Sequence, residues 1–297
     1  MYYKELRRIY MKQFGKIIMG LSSMVLLTAC QSNQTPVSSN EGKSTNENSL
    51  EENNSKTLAL SDYLALGTKK NPLILYYADP SEGLGKETEV KEIFIIADSM
   101  ITTYEGDLFE NLGELAKLSD KEILAEIESR YLTNTENAVA DNRRRLIENE
   151  EYSTTPYKEK AIESLDDLQL HQPTPLPYKL VIFTDDTGNQ TSSIRIQFKE
   201  ERLKLKDGNL EGTDQEVIEE LIQKQQYISR YYEYNKTLKL DAPYLDFSQT
   251  STVYDSKYRI FLGTSSDDCY ISRLENQSLQ ITADQPGTKN IEVDPKE

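Results

Sequence analysis

Three prolines at alternate positions, Pro173, Pro175 and Pro177 in Leu170-His171-Gln172-Pro173-Thr174-Pro175-Leu176-Pro177, constrain this chain more than any other feature. Each fixes its own φ and lacks an N–H donor, so the segment is excluded from helix and favours an extended connection. The residue patterns on its two sides differ. The expected fold is α+β: a small mixed α/β unit over 57–170 with a helical extension, then a mostly antiparallel β unit over 178–297 with one packed helix.

Before the break, Pro72 to Tyr77 and Glu92 to Ala97 read as strands separated by the turn Asp79-Pro80-Ser81-Glu82-Gly83, and Met100 to Tyr104 pairs back on the second. Ser119-Asp120-Lys121-Glu122 is a capping-box pattern, and Ile123, Ile127 and Tyr131 follow it four apart on one helical face. Thr133-Asn134-Thr135-Glu136 repeats the cap signal and is expected to open a further polar helical stretch to about Glu150. After the break, Tyr178 to Thr184 and Ser193 to Phe198 flank Asp185-Asp186-Thr187-Gly188-Asn189 as a hairpin. Thr213-Asp214-Gln215-Glu216 caps a helix with the apolar stripe Val217, Ile218, Leu221 and Ile222. The end reads as short strands: Lys257 to Leu262, Cys269 to Leu274, Leu279 to Thr282 and Ile291 to Val293.

The first 56 residues follow different rules. Lys4, Arg7, Arg8, Lys12 and Lys16 outweigh Glu5, and the uncharged apolar run Ile17 to Ala29 follows. That run spans about 20 Å as a helix, short of the roughly 30 Å of a bilayer core. A basic start, a short apolar stretch and small residues before a cut point have the form of a secretion signal, expected over 1–29. Leu27-Thr28-Ala29-Cys30 resembles the lipobox of bacterial lipoproteins. The resemblance implies cleavage before Cys30 and a diacylglyceryl thioether on its sulfur, with further acylation holding the chain durably on a membrane. Met11 offers a second start to the same signal. Residues 30–56, from Cys30 through a run of Ser, Asn, Gln, Glu, Thr and Lys to Lys56, have almost nothing to bury and read as a disordered tether. Its reach is about 28 Å, similar to the long spacers of Gram-positive lipoproteins. The segment Asn71 to Leu118 and the run Thr252-Val253-Tyr254-Asp255-Ser256-Lys257-Tyr258 are similar to uncharacterised extracellular lipoproteins of Firmicutes, which implies a surface location and supplies no activity.

Charge narrows the partners. The 297 residues carry 34 Lys+Arg against 50 Asp+Glu, a formal charge of −16, and an anionic surface repels nucleic-acid phosphate. Removal of the basic signal leaves the remainder more acidic still.

Chemistry-bearing patterns are sparse. There is no Gly-x-Ser-x-Gly or Ser-x-x-Lys sequence, and His171 is the one histidine, so His-based triads and zinc sites find no partners at the required spacing. His171 reads as a solvated linker residue. Acids are abundant enough for a two-carboxylate glycosidase, but the sequence singles out no pair. Asp185-Asp186 and Asp267-Asp268 lack EF-hand spacing and read as acidic turns, and Gly83-Leu84-Gly85-Lys86 reads as a loop. Arg143-Arg144-Arg145 sits among Asp141, Glu148, Glu150 and Glu151, which favours pairing along the helix. Cys269, left alone by lipidation of Cys30, reads as a buried small hydrophobe. The 19 tyrosines, clustered at Tyr76-Tyr77 and at Tyr227, Tyr231, Tyr232 and Tyr234, suit half-buried sheet packing first and ligand stacking second.

The leading expectation is a non-enzymatic surface protein, lipid-anchored through Cys30 on the extracytoplasmic face of a Gram-positive cell membrane. Its expected partners are the membrane, through the lipid, and a protein, peptide or cell-wall polymer; no nucleic acid, cofactor, metal or catalytic residue is expected. Two alternatives share the address: a solute-binding lipoprotein of a transporter, and a carboxylate-dependent wall hydrolase.

Overall fold

The computed structural model describes residues 57–78, 84–106, 108–148, 156–205, 219–220, 223–224, 228–241, 247–262, 269–274 and 279–295. Among them the chain is α+β, with most strands in one large antiparallel sheet. The early elements are β1 (Thr57–Ala59), helix α1 (Leu60–Leu64), β2 (Leu73–Ala78), β3 (Val90–Ala97) and β4 (Met100–Glu105). Helices α2 (Leu112–Leu115), α3 (Asp120–Glu148) and α4 (Pro156–Asp166) follow, then β5 (Leu176–Thr184), β6 (Thr191–Lys204) and β7 (Arg230–Asp241). The chain ends with β8 (Thr250–Val253), β9 (Ser256–Leu262), β10 (Cys269–Arg273), β11 (Gln280–Thr282) and β12 (Glu292–Val293).

The strand order is β7-β6-β5-β4-β3-β2-β10-β9-β8, so the last strands join the end of the sheet opposite the β5–β7 meander. Two parallel pairings are added, β1 with β11 and β12 with β5. The two halves expected on either side of the proline connector, 57–170 and 178–297, share this sheet. Pro177 and Leu176 pair with Met100 and Ile101, so the extended connector feeds straight into a strand beside β4.

Alternation in β2 explains why the sheet is buried on both faces. Ile74, Tyr76 and Ala78 enter one core with Ile93, Tyr104, Tyr258 and Ile271, covered by α2 and by Ile123, Ile127 and Tyr131 of α3. Each fully buried aliphatic side chain of that helical stripe contributes roughly 1.5–3 kcal/mol. Leu75 enters the second core, where Phe94, Ile196, Leu238, Leu240 and Phe261 meet Leu60 and Leu64 of α1. The sheet therefore coils until β7 approaches β9, and α1 plugs the opening. A void of only about 10 Å³ remains inside, too small for a ligand.

The capping box at Ser119 forms: Ser119 Oγ accepts from the Glu122 N–H at 3.3 Å and Glu122 Oε2 accepts from the Ser119 N–H at 2.7 Å. The second cap signal does not open a new helix, because α3 runs unbroken over 29 residues. The Thr133 and Thr135 hydroxyls donate instead to the carbonyls of Ser129 and Tyr131, at 3.0 and 2.7 Å, which satisfies them within the helix. Among the described residues no helix is long and apolar enough to cross a membrane. The helix expected from Thr213 falls largely outside the described residues, as do the signal and tether.

Candidate functional site

A cleft of about 350 Å³ opens where α1, the start of β2 and the ends of β9 and β10 converge. Leu58, Tyr63, Leu66, Leu73, Leu274 and Leu279 supply an apolar wall, and Asn71, Asp120, Arg259, Ser272 and Arg273 supply its polar groups. Its size and its few convergent polar groups are those of a small-ligand site.

The cleft's first wall depends on α1, a five-residue helix whose N-cap, Ala59, has no side-chain acceptor. Asp284, buried after β11, takes that role: its carboxylate accepts from the Ser61 N–H at 2.9 Å and from Ser61 Oγ at 2.5 Å. The loop after α1 lies against the β3–β4 hairpin. A Cβ at Gly67 would stand 2.3 Å from the Ile96 carbonyl oxygen, so only glycine allows that approach. The Asp98 N–H donates to the Gly67 carbonyl at 2.9 Å and fixes the loop that carries Leu66 and Asn71.

The two arginines differ in their surroundings. Arg273 reaches from β10 to the α2–α3 junction, where Nη1 donates to Leu118 O at 2.7 Å and to Asp120 Oδ1 at 2.8 Å, and Nη2 to Leu115 O at 2.8 Å. Arg259, only 5% exposed, donates from Nη1 to Phe247 O at 2.9 Å and from Nη2 to Leu279 O, and pairs with no carboxylate among the described residues. Burial lowers its pKa, because the charged form is desolvated. Beside it, the Tyr63 hydroxyl donates to Ser272 Oγ at 3.1 Å.

A second assembly lies across β3, β4, β6 and β7. Lys236 Nζ sits 2.6 Å from Glu92 Oε2, 3.1 Å from Glu200 Oε2 and 3.7 Å from Glu105 Oε1, while Arg202 contacts both Glu105 and Glu200. Three carboxylates thus face two cations. Burial pushes the Glu105 carboxyl up to about 7; its hydrogen bond with Glu92 and the charge of Glu200 add to this, against Arg202 and Lys236. Glu105 and Arg202 line an open cleft of about 540 Å³ between the sheet and α3, with Tyr131, Asn134 and Tyr234.

Cys30, Leu27, Thr28 and Ala29 lie outside the described residues, as do Asp267, Asp268, Gly83 and Tyr227. Cys269 is buried, and burial pushes its thiol up to about 12, which leaves it protonated and unreactive at neutral pH. His171 is exposed, but its ring stacks on Tyr231 with centroids 4.0 Å apart, and Tyr231 Oη donates to its carbonyl at 3.2 Å. The connector is thereby tied to β7. Asp185 organises its turn by accepting from Thr187 Oγ1 at 2.7 Å, which also holds its carboxyl below the usual range. Arg144 pairs with Asp141 along α3 at 2.9 Å, but Arg143 reaches across to Asp166 of α4 at 2.9 Å. Tyr76 and Tyr258 are core residues, whereas Tyr232 and Tyr234 pack against each other on β7. Sequence reasoning singled out neither Arg259 nor Glu105. The signal for Glu105 was present, since the two-residue turn at Asp98 and Ser99 places it directly opposite Glu92.

Compared with known proteins, the chain matches no family model, no curated protein and no solved structure.

Proposed function

We propose that the chain is a lipid-anchored protein of the extracytoplasmic face of a Gram-positive cell membrane, and that its folded part binds a protein, peptide or cell-wall polymer without transforming it. The observation that carries the binding reading is the cleft beside α1, where an apolar wall with an exposed Leu66 at its rim surrounds a buried guanidinium. A concavity with an apolar wall and a few convergent polar groups is the form that ligand sites take. The address rests on Leu27-Thr28-Ala29-Cys30 after a basic, then apolar, segment. Palmitate labelling and membrane fractionation of the full chain test it: Cys30→Ala is expected to lose the label and leave the membrane fraction. A Cys30→Ala chain that keeps both overturns the anchor.

One observation favours a second reading, a carboxylate-dependent wall hydrolase. Glu105, with its carboxyl raised to about 7, borders an open cleft, and a carboxyl protonated near neutrality is what a general acid requires. Clearing of peptidoglycan in a zymogram by the full chain, abolished in Glu105→Gln, would favour this reading; no clearing by the unaltered chain removes it.

A further inference from the structure

The Arg259 guanidinium is the least compensated charge in the cleft. It is almost wholly buried on β9, a guanidinium carries five N–H donors, and its described acceptors are two backbone carbonyls. Among the described residues it has no counter-ion, and a buried cation is costly unless paired, so an anion is the ligand group this position favours. Arg273 adds a second guanidinium to the same wall and Asp120 offsets one of the two charges, so the cleft keeps a positive excess in an otherwise acidic chain. Ser272 lies at the same place. Its oxygen accepts from Tyr63, which leaves its own hydroxyl proton for another acceptor. Around these donors the wall is largely leucine, with Tyr63, Pro72 and Ile74.

We infer that this cleft takes a ligand with a carboxylate on a short apolar body, the C-terminal end of a peptide, with the carboxylate on Arg259 and Ser272 and the apolar part against Tyr63, Leu66 and Leu279. This rests on the binding reading above and narrows it to one ligand chemistry. A planar carboxylate matches the fork of a guanidinium, and such charge-assisted bonds strengthen in a site that excludes water. The volume of about 350 Å³ limits the occupant to a small molecule or the last few residues of a chain.

Isothermal titration of the full chain in detergent with three probes tests this: N-acetyl-leucyl-leucine, its C-terminal amide, and hexanoate. The acid is expected to bind and the amide to bind at least about tenfold more weakly. Leu66→Asp, which places a negative charge at the rim without entering the core, is expected to weaken the acid at least about tenfold as well. Equal binding of acid and amide overturns the carboxylate inference and leaves the cleft as a binding site. Binding of neither dipeptide overturns the inference. Hexanoate binding as well as the dipeptide acid supports the carboxylate site and identifies a free acid, rather than a peptide end, as sufficient. Arg259→Lys, with its fold checked by circular dichroism, keeps a charge but loses the fork. If it retains the full preference for acid over amide, the assignment to Arg259 is overturned.

Discussion

At the scale of single residues, two positions carry more of the structure than their chemistry suggests. Gly67 has no side chain, and its value is that absence, because a methyl group there would press into the Ile96 carbonyl oxygen. The atoms it would meet, of Ile96 and Leu73, are backbone, so backbone must shift. Gly67→Ala is expected to lose about 1–3 kcal/mol, seen as a lower urea midpoint at an unchanged slope; an unchanged midpoint would mean that the loop does not sit against β3 as described. Glu105 is the second position. Its folded-state pKa is raised from the ordinary 4.5 to about 7, so between those values the folded chain holds a proton that the unfolded chain has released. The stability that this proton contributes is fully present below about pH 4.5 and is lost as pH rises through about 7. Glutamine imitates the protonated acid and does not titrate. The stability of the unaltered chain relative to Glu105→Gln is therefore expected to fall between pH 5 and pH 8, read from paired urea titrations. Parallel pH profiles would refute the raised pKa.

At the scale of elements, the cleft is held by a helix that could not hold itself. Five residues are too few to be stable in isolation, and α1 persists because Leu60 and Leu64 plug the coiled sheet while Asp284 caps its first turn from more than two hundred residues away. Asp284→Ala is expected to cost about 0.5–2 kcal/mol and to weaken ligand binding at the cleft together with stability. Unchanged stability would show that packing alone fixes the helix. This dependence also explains what was legible in the sequence. Strands β2, β3, β5, β9 and β10 announce themselves by short apolar runs, β6 by the alternation of Ile194, Ile196 and Phe198, and α3 by its capping box and four-residue spacing, because those signals are local. Strand β7 does not. Its first half, Arg230-Tyr231-Tyr232-Glu233-Tyr234-Asn235-Lys236, is polar on both faces, and only Leu238 and Leu240 alternate into the core. It is a strand because β6 offers it twelve consecutive partners, a cause that lies in another part of the chain. The cleft was hidden for the same reason. Tyr63, Arg259 and Arg273 meet only once β10 has crossed to pair with β2, and nothing near any of them in sequence states that crossing.

At the scale of the whole folded region, the proline connector separates patterns without separating cores. The connection between β4 and β5 is narrow, since only Met100↔Pro177 and Ile101↔Leu176 are in register. If those pairs were all that joined the halves, the chain would unfold in two steps. Side chains add what the ladder lacks: Phe94 of β3 meets Phe198 of β6 edge to face at 6.2 Å, and the core around Ile101 includes Leu180, Ile194, Leu238 and Phe261. The ion cluster adds a further bridge, because Lys236 and Arg202 on one side hold Glu92 and Glu105 on the other. Neither half can open without exposing that shared apolar surface, and cooperative units follow shared cores rather than sequence blocks. The full chain is therefore expected to show one urea transition, with far-ultraviolet circular dichroism and tyrosine fluorescence coincident. Phe198→Ala removes the ring at the junction and is expected to lower the midpoint by an amount corresponding to about 3–5 kcal/mol while keeping the two probes together. Separate transitions in the unaltered chain would mean that the proline connector divides the molecule energetically as well as in pattern, and that the sheet across it is a contact between neighbours rather than one folded unit.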